Sequence, residues 1–299
     1  MELTLHCFGA STSTGEALRI LTGSDLFGYC RNPSSSPGWL YPADLSDPDG
    51  FHPLGRSSVP SVWISFAPIW LFAPFLDGLA TSHPERLKGL RGVIACSSSS
   101  AITKRFAFNR FDRHLVAKLT SSEDLLISTC RRLSIPCYVL RPTLIYGKVG
   151  AFGDHNLSRI LQLLRRLPLL LIPADSGLRQ PIHANQLAAV ALHLANNLTG
   201  SDCDVSLPQR IAVGGDTTLT YSEMISALQQ AQPSGDPARS CHLLSVPNRL
   251  FFLLAAPFLL RSPTAFEAVL RMGVNLSGFI PAHQLLDSEP ESFPVLPLA

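Results

Sequence analysis

An apolar run, Leu3 to Phe8, passes directly into Gly9-Ala-Ser-Thr-Ser-Thr-Gly15 and then into a segment of helical apolar spacing, from Ser13 to about Leu21. The same alternation of short apolar run and amphipathic segment continues along the first two-thirds of the chain. Strands are expected at Leu26 to Cys30, Trp39 to Tyr41, Val62 to Phe66, Val93 to Ser97 and Cys137 to Leu140, the last stopped by Pro142. A polar-faced helix should cover about Asn109 to Leu133. Apolar strands alternating with helices specify an α/β chain, with a parallel sheet covered by helices on both faces. Right-handed crossovers should join the strands.

After Tyr146 the pattern changes. Helices are expected at about His155 to Arg166, Asn185 to Asn197 and Tyr221 to Gln230, with apolar runs at Leu169 to Ile172 and Ile211 to Val213. This second part reads as a smaller lobe sharing a cleft with the sheet. Residues 1–150 then form the first domain, its sheet completed by segments within 165–215, and 151–299 mainly the second lobe.

Composition narrows the class. At 46% hydrophobic and 15% charged over 299 residues, the chain is neither disordered nor fibrous. A net charge of +2 with no basic run argues against a nucleic-acid partner. Seven cysteines, an odd number without a Cys-x-x-Cys, read as buried thiols in a reducing compartment. The opening Met-Glu-Leu-Thr-Leu carries no basic leader, so a cytoplasmic location is expected. Val62 to Ala80 holds Pro68, Pro74 and Asp77 and reads as a strand followed by a buried helix, not a membrane span. Leu250 to Leu260 is too short to cross a bilayer. It is read as a helix in a core or dimer interface, or else lying in a membrane plane. The histidines and cysteines show no ligand spacing, and no metal site is expected.

A strand, a glycine-bounded turn and a helix start form the context of a dinucleotide fingerprint. Glycine lets the backbone turn sharply and approach a pyrophosphate, while the helix start offers N–H groups and partial positive charge. Thr12 stands where a middle glycine would be. The hydroxyls of Ser11, Thr12, Ser13 and Thr14 could then bond phosphate, or the turn could simply cap its helix. Arg31 follows the second strand, where an acid would bind the ribose 2′-hydroxyl of NAD and an arginine suits the 2′-phosphate of NADP. NADP is therefore expected, with NAD as the alternative. Asp44 could reach the adenine, or cap a short helix.

The Gly9 to Gly15 turn, the run Ser97-Ser98-Ser99-Ser100, Lys118, Leu140-Arg141-Pro142-Thr143-Leu144-Ile145-Tyr146-Gly147, Asn156-Leu157 and Arg179-Gln180-Pro181-Ile182-His183-Ala184 occur in this order. In this the chain resembles the extended short-chain dehydrogenase/reductase family, the NAD(P)-dependent epimerase/dehydratases acting on nucleotide sugars. The likeness runs from residue 2 to about residue 230. It implies a Rossmann-type doubly wound parallel sheet with a smaller C-terminal substrate lobe. It also implies a cofactor site at Gly9, Ser11, Thr12, Ser13, Thr14, Gly15, Arg31, Asp44, Ala67, Lys118 and Pro142.

That family uses a serine or threonine with a Tyr-x-x-x-Lys helix, whose lysine lowers the phenol pKa. Here Ser99 aligns best with the serine, Ser98 and Ser100 being adjacent candidates, and Lys118 with the lysine. The tyrosine is missing, and His114 stands four residues before Lys118. Ser99, His114 and Lys118 are thus the candidate catalytic residues, His114 being either a proton carrier or an exposed helix histidine. Tyr146 would line the cofactor edge. Asn156, Arg179 and Arg271 are candidates for a substrate diphosphate, and His183 reads as a packed histidine. Two functions follow: hydride transfer on a nucleotide sugar or similar phosphorylated substrate, or non-catalytic NAD(P) binding as a redox sensor or assembly factor. A homodimer is compatible with either.

Overall fold

The computed structural model describes residues 3–23, 26–33, 38–55, 59–107, 109–154, 156–198, 207–257, 269 and 271–295. Three expectations touch residues outside these: Cys203, a helix start at His155, and the 258–260 end of the apolar helix.

The main sheet takes its strands from β1 (Thr4–Phe8), β2 (Leu26–Cys30), β3 (Leu40–Pro42), β4 (Ser61–Ser65), β5 (Leu90–Cys96) and β6 (Cys137–Pro142). Shorter pairings outside the sheet use β7 (Ile145–Tyr146), β8 (Leu169–Pro173), β9 (Leu178–Arg179) and β10 (Ile182–His183). Arg210–Gly214, β11, then rejoins the main sheet. After β12 (Leu219–Thr220) and β13 (His242–Val246), β14 (Ile280–Pro281) closes it. The order is β14-β11-β6-β5-β4-β1-β2-β3, eight strands, every neighbouring pair parallel. β1 lies between β2 and β4, so the winding direction reverses there. Such a switch point opens a crevice at the carboxyl ends of the strands.

Strand alternation divides the core in two. Leu5 and Cys7 face α1 (Ser13–Thr22) and the later α6 (Ala184–Asn197), packing with Leu18, Leu187 and Ala191. Phe8 and Trp63 face the other way, against Phe72, Phe75 and Leu76 of α2 (Ile69–Ser82). On the same side, α4 (Arg110–Arg132) contributes Leu119, Leu126 and Ile127. The short α3 (Ser100–Thr103) lies between β5 and α4 in the chain. A third cluster joins α5 (Asn156–Arg166) to α7 (Tyr221–Gln230) through Leu157, Leu161, Leu164, Met224 and Leu228.

The capping follows from side-chain chemistry. Thr12 and Asn109 accept the N–H groups of Gly15 and Asp112 at the starts of α1 and α4. Thr220 and Glu223 form a capping box on α7, and His183 with Gln186 does the same on α6.

The apolar helix α8, Asn248–Ala255, buries Phe251 while Leu250, Leu253 and Leu254 remain exposed. Among the described residues no helix is long and apolar enough to cross a membrane, and no disulfide occurs. The Pro-rich tail supplies both β14 and the helix Ala282–Leu286. Its Ile280-Pro281 pair is too short to register as an apolar run.

Candidate functional site

Two clefts open along the carboxyl edge of the sheet. The first, about 400 Å³, lies at the switch point and is lined by Phe8, Gly9, Ser11, Cys30, Arg31 and Asp44, with Ala67 and Pro68 opposite. Gly9 has φ +73°, and a Cβ there would stand 2.4 Å from the backbone nitrogen of Ala67. Gly15 has its own constraint: a Cβ would sit 2.5 Å from the carbonyl oxygen of Ala10. The first glycine therefore makes the turn beside β4, and the second lets α1 close against the loop.

Between them, Thr12 is the N-cap. Its hydroxyl donates to the Gly9 carbonyl at 2.9 Å and accepts the Gly15 N–H at 3.1 Å. This corrects the expectation that the Thr12 hydroxyl points at phosphate; it closes the turn instead. Ser13 and Thr14 are buried at the helix start, whereas Ser11 is exposed to the cleft. What the turn presents to a ligand is thus backbone, the Ser11 hydroxyl and the N–H groups that open a helix. Arg31 and Asp44 both line this cleft. Hydrogen bonds from the Ser46 N–H and hydroxyl hold the Asp44 carboxyl below its ordinary pKa, and the Arg31 charge adds to the effect.

The second cleft, about 590 Å³, lies past the ends of β5 and β6. Ser97 to Ser100, Thr103 and Lys104 form one side, Pro142 to Ile145 the floor, and Asn156, Arg271, Val274 and Leu276 the far wall. The serine run is held in place from below. Ser97 Oγ donates to Glu123 Oε1, a fully buried carboxylate that also pairs with Arg141 and Arg210. The Ser99 N–H donates to the Pro142 carbonyl at 2.9 Å, which ties the serine run to β6. Asp154 accepts the Leu157 N–H at the start of α5, so Asn156 is turned to the cleft.

Several candidates fall elsewhere. His114 and Lys118 line neither cleft; both are exposed, and the Lys118 ammonium lies 4.6 Å from the Trp70 ring centroid. The buried face of α4 instead carries Asp112, Leu119, Ser122 and Glu123. One residue is about 100° of helix rotation, so the His114–Lys118 pair shares a face, but not the face turned inward. Arg179 is also corrected as a diphosphate partner. It is buried, and its guanidinium donates to the carbonyls of Leu178, Val274 and Arg271 at 2.8, 2.6 and 2.5 Å. Burial lowers its pKa, and the Tyr221 ring it stacks on raises it in part. Arg179 therefore fixes the backbone of the wall that carries Arg271. Tyr146 is buried too, its hydroxyl accepting the Val295 N–H rather than lining a cleft. His183 is packed, as expected, against Tyr146.

Lys104, Asp112 and Glu123 were missed in the sequence. Glu123 had a usable signal: it interrupts an apolar stripe between Leu119 and Ile127, where an acid must be paired if buried.

No protein-family model and no curated protein matches the sequence. Comparison with solved structures does find matches. A nucleoside-diphosphate-sugar epimerase from Staphylococcus aureus aligns over 97% of this chain and 97% of its own, with TM-score 0.58 and 16% identity. MoeE5, determined in complex with UDP-glucose and NAD, aligns over 97% of this chain and 94% of its own, at TM-score 0.56 and 15% identity. A UDP-N-acetylglucosamine 4-epimerase from Bacillus cereus aligns over 81% of this chain and 85% of its own, at TM-score 0.57 and 14% identity. The chain has the fold of these proteins.

Proposed function

We propose that this chain binds NADP(H) in the first cleft and acts on a nucleotide sugar or similar phosphorylated substrate in the second, as an extended short-chain dehydrogenase/reductase. In this reading residues 1–150 form the cofactor domain and 151–299 mainly the substrate lobe, in a cytoplasmic protein able to pair as a homodimer. The observation that carries it is the Gly9 turn at the switch point, where a side chain on residue 9 would occupy the space beside Ala67. The residues present fit a dinucleotide there. Gly9, Ser11 and the start of α1 would hold the pyrophosphate, Ala67 and Pro68 the opposite wall, and Asp44 the adenine. Arg31, exposed at the mouth, would select the 2′-phosphate of NADP over NAD. Similar proteins of known structure supply the substrate class, one of them holding UDP-glucose and NAD.

A bound nicotinamide supplies a hydride acceptor or donor. The chain's own part is to orient the substrate through Ser99 and Asn156, backed by Pro142, and to enclose it between the serine run and the wall carrying Arg271. His114 and Lys118 take no part in this arrangement. That neither lines a cleft favours a second reading, a dinucleotide-binding sensor or assembly factor without turnover.

Incubation with UDP-glucose and NADP+ or NAD+, followed by chromatography and nicotinamide absorbance, separates the two. Interconversion of the sugar supports the enzyme. Dinucleotide binding without conversion across a panel of nucleotide sugars supports the second reading. Arg31→Asp should weaken NADPH far more than NADH, and an equal loss for both would remove Arg31 from the 2′-phosphate site.

A further inference from the structure

Both clefts open at the carboxyl edge of the sheet. A third cavity, about 130 Å³, lies at the opposite edge, where Thr4, Ser61 and Leu90 begin β1, β4 and β5. It shares no lining residue with either cleft. His6, Ser61, Trp63 and Arg86 line it together with the apolar Leu54 and Leu90, and the exposed His52 adds a second imidazole.

His6 is 3% exposed, its ring parallel to that of Tyr29 with 5.8 Å between centroids. A hydroxyl fixes its tautomer. The Leu54 N–H donates to the Tyr29 hydroxyl at 3.0 Å, so the hydroxyl keeps its own proton to give, and His6 Nδ1 lies 3.0 Å away. Nδ1 therefore accepts, and the neutral ring carries its proton on Nε2. Burial holds the His6 pKa far below its ordinary value, which keeps the ring neutral at pH 7. Nε2 has no partner among the described residues, and the ring it belongs to lines the cavity. A buried N–H without an acceptor is costly, so the cavity's occupant has to supply one.

Arg86, in the 3₁₀ turn Pro84–Leu87, brings the charge. Its Nη1 donates to the carbonyls of Pro48, Asp49 and Phe51 at 3.2, 2.8 and 2.8 Å, and its Nε lies 3.8 Å from Glu85 Oε1. Nη2 has no partner among the described residues. Glu85 does not line the cavity, and no other acid among the described residues does. The volume is several times what one water needs. Two donors and apolar walls suit a compact monoanion with two acceptor oxygens and a short apolar tail. A tetrahedral dianion would call for more donors.

We propose that this cavity is a ligand site, distinct from both clefts, that takes a short-chain monocarboxylate. Its head is held by His6 Nε2 and Arg86 Nη2, and its tail lies against Leu54, Trp63 and Leu90. Arg86 selects for the negative charge, and His6 sets where the oxygens lie. The inference does not depend on the function proposed for the two clefts.

NMR on the full chain tests it, with propionate as the probe and its uncharged isostere propionamide as the control. Saturation transfer should show propionate binding with a Kd of about 1–10 mM, a range open to so small a ligand. With nitrogen-15 in the histidines, the Nε2 resonance of His6, assigned on the wild type, should carry a proton and shift along the same curve. Propionamide should bind at least about 10-fold more weakly. So should propionate to Arg86→Gln, its folding checked by thermal melting; if that variant does not fold, the propionamide comparison decides. No saturable propionate binding below about 100 mM overturns the proposal. So does binding that leaves His6 unmoved, equal binding of propionamide, or a His6 proton found on Nδ1. Inorganic phosphate that shifts His6 where propionate does not would assign the cavity to a tetrahedral anion and overturn the carboxylate.

Discussion

Replacing Arg179 with methionine separates two roles that a buried arginine beside a cleft could have. In the structure its guanidinium, buried beside Tyr221, donates to three carbonyls, two of them in the segment 271–276. A hydrogen bond from a charged donor is worth about 1.5–3 kcal/mol, but three to one group do not add fully. Val274 is exposed and Arg271 half-buried, so water can reach part of what is lost. We therefore expect a loss of about 3 kcal/mol. At about 2.1 cal/mol/K of unfolding entropy per residue, that lowers the melting temperature by about 5 °C if the chain unfolds as one unit. Arg179→Lys should not restore it, because an ammonium cannot match the planar fork. The assay is differential scanning calorimetry, with limited proteolysis to detect cleavage within 271–276. A melting temperature unchanged by Arg179→Met, together with lost UDP binding, would refute the structural assignment and return Arg179 to the ligand.

Gly9→Ala combines a positive φ with a Cβ 2.4 Å from the Ala67 nitrogen; denaturant titration should show a loss of about 3 kcal/mol, and wild-type stability would contradict the tight turn. His114→Ala with Lys118→Met should leave any turnover and dinucleotide affinity within about twofold, since surface changes away from a site cost little; a loss of more than tenfold in turnover at unchanged stability would restore the pair to the mechanism. His6 is buried, and burial lowers its pKa from 6.5 to about 4. Between those values the unfolded chain takes up a proton that the folded chain refuses, so stability should fall as pH drops from about 6.5 to 4, by up to about 3 kcal/mol. Urea midpoints across that range for the wild type and His6→Gln measure it, and equal slopes would dismiss the reading.

What could be read from the residues depended on how local the cause was. The strands at Leu26 to Cys30 and Val93 to Ser97, and the helices around Ser13, Asn109 and Tyr221, announce themselves by apolar run and period, and the structure places elements there. That Gly9, Arg31 and Asp44 would line one cleft was legible because a crevice at a switch point is built from consecutive βα turns. The short strands after Tyr146 were not, because a two-residue pairing such as Leu178–Arg179 with Leu219–Thr220 has no pattern of its own. The direction in which a side chain turns was equally hidden. His114 and Lys118 are four apart, as one helix face requires, yet only the packing of Leu119 and Leu126 decides which face is buried. Arg179 likewise belongs to a backbone clamp formed with residues 92 and 95 positions later in the chain. Asp112, Lys104 and Arg271 meet across 159 residues, a distance at which no motif speaks.

Fluorescence titration of the protein with NADPH and with NADH tests the central claim most directly. The account predicts saturable binding with NADPH favoured, because Arg31 stands at the mouth of a cleft whose backbone turn is open at Gly9. Absence of binding by either dinucleotide would contradict it, leaving the fold without the cofactor site on which the proposed chemistry depends.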